Sequence, residues 1–191
     1  MTRGIPSRPG ARRGRRTAAL SATALAALAA LAGAAPAQAF ELEGPHWATP
    51  QRTIDTTDVP AGPFHDALDA AAGEYTSLTH ASVSTADATG SPWAAQVVDQ
   101  GDDGYEGYST WRYDGQRITY SAAMHLNTHY LDDSLPTARL KVVWEHETGH
   151  VLGLAHVPGI DHVMYYRASD AYDDGVTGLT DDEVAGIDSI Y

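Results

Sequence analysis

Cysteine is absent from the 191-residue sequence, so no disulfide can support the fold, which must rely on its core and on bound ions if the protein is exported. Positive charge is scarce outside the N-terminus. Six of the twelve Lys and Arg residues lie within the first 16 positions, which leaves six cations against all 25 Asp and Glu. Such an acidic chain is a poor partner for nucleic acid or an anionic membrane. The excess charge is consistent with plain solvation, bound calcium or cationic substrates.

The first 39 residues are predicted to be a removable export signal. Arginines precede an alanine- and leucine-rich run from Thr17 to Ala35, and Ala37-Gln38-Ala39 has the small residues of a cleavage site. The run is weakly apolar and no basic cluster follows it, which favours cleaved secretion over a membrane anchor. Residues 40–191 are then expected to form one extracellular domain, and we expect this domain to be a monomer.

The pattern of residues 40–191 predicts an α+β domain with one twisted sheet. Apolar residues recur at three and four positions after Pro60 and Pro63, which indicates a helix, and Asp114-Gly115 indicates a tight hairpin turn. Ser134 or Thr137 can cap a later helix, and Thr180 opens a capping box on the last one. The predicted strands are Gln51–Thr57, Ala81–Ala86, Trp93–Val98, Tyr108–Tyr113 and Gln116–Leu126.

The segment HETGHVLGLAH carries the chemistry. If Val143–Leu152 is helical, His146 and His150 project from one face, one turn apart, and can bind one zinc ion. Gly153 permits the left-handed conformation that ends a helix and reverses the chain, so His156 can return as the third ligand. A surface helix with scattered histidines is the alternative, but five specified positions in eleven residues make it improbable.

Three neutral imidazoles leave one zinc coordination position open, as a hydrolytic zinc requires. Glu147 lies about 100° around the helix from His146, so it can reach a zinc-bound water without ligating the metal. Gly149 costs roughly 1 kcal/mol relative to alanine inside a helix. We interpret it as a position where the missing side chain leaves room for the active site.

This HExxHxxGxxH pattern resembles the metzincin clan of zinc peptidases, in which a turn with a methionine lies beneath the metal. Here that turn is His162–Tyr166, with Met164 eight residues beyond His156. The resemblance implies a single catalytic domain, residues 40–191. In it, a twisted, mostly parallel sheet has an edge strand over the zinc helix, followed by the Met-turn and a C-terminal helix. It also implies a substrate cleft between an upper and a lower subdomain.

Within the clan the chain resembles the matrixins, the matrix-metalloproteinase-like family, and in particular a bacterial-type member. The spacing from His156 to Met164 and the closing LTDDEVAGIDSIY, with Asp181 and Asp182, carry this likeness. Without cysteine the family's thiolate latch on zinc is missing, and few residues are left for an inhibitory prodomain. Gln100 stands at a position where a second, structural zinc would require a histidine ligand.

The resemblance implies a secreted zinc endopeptidase acting on polypeptides. Glu147 would activate the water, and Tyr166 would donate a hydrogen bond to the oxyanion if it follows the astacin pattern. A tyrosine packed under the turn is the other interpretation of Tyr166. The strand Gln116–Leu126 is predicted to be the edge to which an extended substrate adds. A non-catalytic secreted metal-binding module with the same fold is the alternative function.

Two further expectations concern the ends of the domain. Asp102, Asp103 and Glu106 form a glycine-rich acidic loop of the kind that binds calcium, and a solvated turn is the alternative. In matrixins a freed N-terminal ammonium can dock on an aspartate of the last helix, which here would join Phe40 to Asp181 or Asp182. The stronger expectation is that residues 40–46 fray, as chain ends commonly do.

Overall fold

The computed structural model describes residues 40–191, so the predicted export signal lies outside the described residues. No helix within residues 40–191 is long and apolar enough to cross a membrane. Four helices occur in this part of the chain: α1 Pro63–Leu78, α2 Thr137–Leu152, α3 Ala168–Asp173 and α4 Asp181–Ile190. Eight strands accompany them: β1 Glu41–Leu42, β2 His46–Trp47, β3 Gln51–Asp58, β4 Ser82–Ala86, β5 Trp93–Val98, β6 Gly107–Tyr113, β7 Ile118–Asn127 and β8 Leu154–Ala155.

Six of these strands form one mostly parallel sheet, which confirms the predicted fold class. The order is β2-β7-β5-β3-β4, all pairs being parallel, and β6 joins β7 in antiparallel orientation. The substrate edge predicted at Gln116–Leu126 is wrong, because β7 is paired with β5 on one side and with β6 on the other. The edge strand is β6. Alternating polarity identifies a half-buried strand but does not identify its neighbours.

The hairpin between β6 and β7 forms as predicted, but its turn is longer than the two residues Asp114-Gly115. The Asp114 carboxylate accepts hydrogen bonds from the backbone N–H groups of Gln116 (2.8 Å) and Ile118 (2.9 Å). The left-handed residue is Arg117, with φ 66°. The aspartate side chain therefore organises a four-residue turn, an arrangement that the Asp-Gly signal alone does not distinguish from a tight one.

Helix α1 packs its predicted apolar face against the zinc helix α2. Its buried residues include several alanines, which let the two helices approach closely. Two hydrogen bonds fix the contact: the Tyr75 hydroxyl donates to the Glu145 carbonyl (2.9 Å), and the Trp144 indole N–H donates to the Phe64 carbonyl (3.0 Å). Each fully buried large side chain of this core contributes about 1.5–3 kcal/mol. The contact places α2 firmly within the core.

A buried charge cluster joins the same two helices. The Lys141 ammonium of α2 contacts the Glu74 carboxylate of α1 and, at 2.9 Å, the Glu145 carboxylate one turn along its own helix. Burial raises the pKa of Glu145 to about 8, although the hydrogen bond from Lys141 opposes the shift. Glu74 also accepts the backbone N–H of Leu179 (2.8 Å). The cluster therefore anchors the segment before α4 to the helix pair, and removing one partner would leave a buried charge uncompensated.

The first described residues are ordered, so the expectation that residues 40–46 fray is wrong. Strand β1 pairs in antiparallel orientation with β8, with Glu41 opposite Ala155 and Leu42 opposite Leu154. The Phe40 side chain packs against Gly186 of α4, where an added β-carbon would lie 3.1 Å from the ring. Pairing and packing thus tie this end of the domain to the strand that follows the zinc helix.

Candidate active site

Helix α2 carries the first two histidines of the motif and ends where the sequence predicts. Its N-cap is Pro136 and no side chain caps it, so the predicted caps Ser134 and Thr137 are both wrong. Gly153 ends the helix in the left-handed conformation, with φ 118° and ψ 8°, and its N–H donates to the carbonyls of Gly149 and His150. The chain then reverses through β8, which brings His156 back to the helix.

The three histidines converge on one point. Their Nε2 atoms form a triangle with sides of 3.1 Å (His146–His150), 3.1 Å (His150–His156) and 3.2 Å (His146–His156). Three nitrogens bound to one zinc ion at about 2.0–2.1 Å in tetrahedral geometry lie roughly 3.3–3.4 Å apart, so the cage has the size of a zinc site. Within residues 40–191 these histidines are the one group of three or more potential ligands that converge in this way.

The surroundings hold two of the imidazoles in the orientation and protonation state that a metal needs. The Nδ1 atom of His146 lies 2.8 Å from the Val163 carbonyl, and that of His150 lies 2.9 Å from the Leu154 carbonyl. Each Nδ1 therefore carries the proton and donates it, which leaves the Nε2 lone pair free. Burial lowers the pKa of all three histidines, that of His150 to about 4. A neutral imidazole has a nitrogen lone pair with which it can bind a metal cation, and a protonated imidazole does not.

Glu147 is buried beside this cage. One carboxylate oxygen accepts a hydrogen bond from the Ser109 hydroxyl (2.6 Å), and the other lies against Gly107, where an added β-carbon would be 2.7 Å away. Burial raises the pKa of Glu147 to about 8, the Ser109 hydrogen bond lowers it, and the charge of Glu106 raises it further. A cation held by the neighbouring histidines would oppose that rise by favouring the carboxylate.

The edge strand β6 contributes three residues that the sequence did not reveal as site residues. Gly107 and Ser109 contact the Glu147 carboxylate, and the Trp111 ring stacks at 6.5 Å on the ring of His150. Alternate residues of a strand share one face, so these three face the zinc helix together. The two-residue repeat of a strand could have placed these three residues on one face from the sequence alone. Only the packing of β6 on α2 shows which residues they contact.

The predicted Met-turn lies where the resemblance implies. Met164 is buried, and its sulfur lies over Gly149, where an added β-carbon would be only 2.5 Å away. The Glu183 carboxylate of α4 accepts the Met164 N–H (3.3 Å) and the Thr180 N–H (3.0 Å), which also completes the predicted capping box. The space left by Gly149 is therefore filled by the methionine, in agreement with the interpretation of this glycine.

Tyr166 lies at the rim of the site. Its side chain is 62 % exposed, and its ring centroid is 5.2 Å from that of His156. This position excludes the interpretation of a tyrosine packed under the turn. An exposed tyrosine next to His156 is instead accessible to a molecule bound at the site.

The acidic loop does not bring its three predicted calcium ligands together. Asp103 accepts the Asn127 side-chain amide (3.1 Å), whereas Glu106 accepts the Ser169 N–H of α3 (2.8 Å). Asp102 accepts the Tyr130 hydroxyl. The three carboxylates are not among the converging ligand groups of residues 40–191, so calcium binding stays a prediction.

Hydrogen bonds and ring stacking occupy the place considered for a second zinc. The Gln100 amide donates to the Tyr108 hydroxyl (3.0 Å), and the Tyr108 ring stacks on His125 with the ring centroids 4.4 Å apart. No set of three converging ligands forms around these residues in the described part of the chain.

A three-histidine cage, a buried glutamate beside it and a methionine turn beneath it define a site of the metzincin metallopeptidase class. The family model of the matrixins matches residues 67–191 of the chain, which is more than half of its length. The chain belongs to the matrixin family. Comparison with curated proteins gives no match.

Proposed function

We propose that the protein is a zinc endopeptidase. The observation that carries the proposal is the buried Glu147 carboxylate next to three converging imidazoles. A purely structural zinc normally has four protein ligands and needs no general base, whereas a hydrolytic zinc has three ligands and a carboxylate nearby. Membership in the matrixin family supports the same assignment. The non-catalytic metal-binding module is the weaker alternative, because it gives Glu147 no role.

When bound, zinc supplies a Lewis acid that polarises a carbonyl oxygen and lowers the pKa of water. The chain's own residues would do the rest. Glu147 takes a proton from the attacking water and later delivers it to the leaving amine. Tyr166, exposed beside His156, donates a hydrogen bond to the oxyanion. Within residues 40–191 β6 pairs only with β7, so its other edge offers backbone groups with which an extended polypeptide can pair as an added strand.

We also propose that the enzyme is secreted after removal of residues 1–39 and that it works as a monomer. The arginine-rich start, the apolar run and the small residues before Phe40 support export. N-terminal sequencing of the protein recovered from culture medium tests this part, and a start other than Phe40 would contradict it. Calcium at Asp102, Asp103 and Glu106 is a further prediction from the sequence, and the proposed hydrolysis does not depend on it.

The test of the proposed function compares casein cleavage by the zinc-loaded protein, with and without a chelator, for the parent and two variants. Glu147→Ala should abolish cleavage while one zinc stays bound, because Glu147 performs chemistry and does not ligate. His150→Ala should lose the zinc as well, since it removes one of three ligands. A parent that binds zinc but cleaves no peptide would support the non-catalytic module. Substantial activity in Glu147→Ala would contradict the mechanism.

A further inference from the structure

A side-chain hydrogen bond between Ser109 and Glu147 joins the edge strand β6 to the helix α2. The Ser109 hydroxyl of β6 lies 2.6 Å from one Glu147 carboxylate oxygen and 3.0 Å from the Glu147 carbonyl. A hydroxyl has one hydrogen, and the shorter distance directs it to the carboxylate oxygen. Glu147 is almost inaccessible to solvent and Ser109 is half-buried, so the bond between them is partly buried.

The other carboxylate oxygen is confined by shape. It lies so close to Gly107 that any β-carbon there would be 2.7 Å away, and would also be 3.1 Å from the His125 carbonyl. A carboxylate on a three-bond side chain has several rotamers, which a hydrogen bond on one side and a fitted gap on the other reduce to one. Gly107 and Ser109 lie on the same face of β6, so a single strand supplies both constraints.

We propose that Ser109 is a positioning residue for Glu147: its hydroxyl, together with the gap at Gly107, fixes the orientation of the carboxylate that acts as general base. This inference rests on the proposed peptidase function. Because β6 is also the edge that an extended substrate would join, the strand that aligns the scissile bond is the strand that aligns the base. A general base held within hydrogen-bond reach of its proton contributes far more than a mobile one.

The test removes and restores the hydroxyl. Ser109→Ala should lower kcat about tenfold with little change in KM, because it loosens the base without altering substrate pairing. Ser109→Thr keeps a hydroxyl on the same carbon and should recover most of the loss. Ser84→Ala is the matched control: Ser84 is an exposed serine of β4 at the opposite side of the sheet, bonded to Thr53 (3.0 Å), and its loss should leave kcat unchanged.

Zinc content and melting temperature are measured on the same samples: in Ser109→Ala the zinc content should match the parent, and the melting temperature should fall by a few degrees at most, because the buried Glu147 carboxyl group loses one hydrogen bond. A kcat within twofold of the parent would overturn the proposal. So would a loss of zinc from Ser109→Ala that accounts for its lost activity, because the hydroxyl would then maintain the metal site and not the orientation of Glu147. If the parent cleaves no peptide, the proposed function fails by itself. The positioning role of Ser109 is then tested by binding. A peptide hydroxamate chelates zinc and donates a hydrogen bond to a neighbouring carboxylate, so its dissociation constant should be larger for Ser109→Ala than for the parent. An unchanged dissociation constant would overturn the positioning role.

Discussion

Gly149 and Met164 are in direct contact across the zinc site: a β-carbon on Gly149 would lie 2.5 Å from the Met164 sulfur and 2.9 Å from the Tyr75 hydroxyl. A glycine inside a helix lowers stability by roughly 1 kcal/mol relative to alanine when nothing opposes the extra methyl group. Here the methyl group would collide with two buried side chains. The glycine is therefore required by packing between the zinc helix, α1 and the Met-turn.

We expect Gly149→Ala to lower the melting temperature, although the higher helix propensity of alanine alone would raise it. Overpacking costs about 1–3 kcal/mol, which exceeds the propensity gain. Gly73→Ala in α1 is the matched control, because no atom lies within 4 Å of its added β-carbon. That variant should gain up to about 1 kcal/mol of stability. Thermal unfolding of both variants checks the pair, and a stabilised Gly149→Ala would show that Met164 moves aside at no cost.

Tyr166 gives the second prediction. If its hydroxyl stabilises the oxyanion, Tyr166→Phe should lower kcat by about 100-fold, the usual effect of losing one such donor, while KM and bound zinc change little. Tyr165→Phe is the control, because it removes the same atom from the neighbouring ring, whose centroid lies 5.7 Å away. Steady-state kinetics on one peptide measures both. Equal kcat values for the parent and Tyr166→Phe would contradict a role of the hydroxyl in stabilising the oxyanion, and Tyr166 could then only contact the substrate.

The convergence of the three histidines was predictable because local geometry determines it. His146 and His150 are one helical turn apart in any helix, and Gly153 is the residue type that ends a helix in the conformation observed, so His156 follows. Ser109 was not predictable, because its contact with Glu147 depends on how β6 packs on α2, and those residues are 38 positions apart. Strand alternation gives the face of a residue but not its partner across the core.

The same distinction explains why the prediction of a substrate edge at β7 was wrong. Its alternating pattern identified a strand, yet whether that strand lies inside the sheet or at its edge depends on pairings with β5 and β6. At its end, Asn127 looked unremarkable in the sequence. The structure gives its buried amide five hydrogen-bond partners in and beside the acidic loop: Gly101, Asp103, Tyr105, Gln100 and His129. Such a set of contacts has no local signature.

Asn127 gives the third prediction. Asn127→Ala removes hydrogen bonds to partly buried backbone groups, at about 0.5–1.5 kcal/mol each, and should lower the melting temperature by several degrees. The amide nitrogen lies 3.0–3.2 Å from the Gly101 and Tyr105 carbonyls and the Asp103 carboxylate, which are the oxygen types that calcium prefers. Asn127→Asp should therefore be unstable without calcium and regain stability in millimolar calcium.

The parent protein in the same experiment tests the calcium prediction made from the sequence. The sequence prediction requires that millimolar calcium raise the parent's melting temperature more than magnesium does, since a ligand that binds only the folded state stabilises it. A rise that Asp102→Asn/Asp103→Asn abolishes would establish a calcium site in the loop, and the absence of a calcium-specific rise in the parent would contradict the prediction.

The last prediction concerns the first residues of the domain. Phe40 packs on Gly186 of α4, and the next two residues pair with β8, the strand that carries the chain from Gly153 to His156. Phe40→Ala should therefore lower the melting temperature by a few degrees, at about 2–4 °C for each kcal/mol in a domain of this size, and weaken zinc binding. Leu42→Ala is the control, because Leu42 is 46 % exposed and should matter less.

The same experiment separates packing from the ammonium pairing that the resemblance implies. Asp182 lies 3.8 Å from the His162 imidazole of the Met-turn, with which it forms an ion pair when that ring is protonated. If the Phe40 side chain is what matters, proteins that begin at Ala39 and at Phe40 should have equal activity and melting temperature, and Asp181→Asn should change neither. A loss on extension by one residue that Asp181→Asn or Asp182→Asn reproduces would show that the free ammonium, and not the ring alone, holds this end of the domain in place.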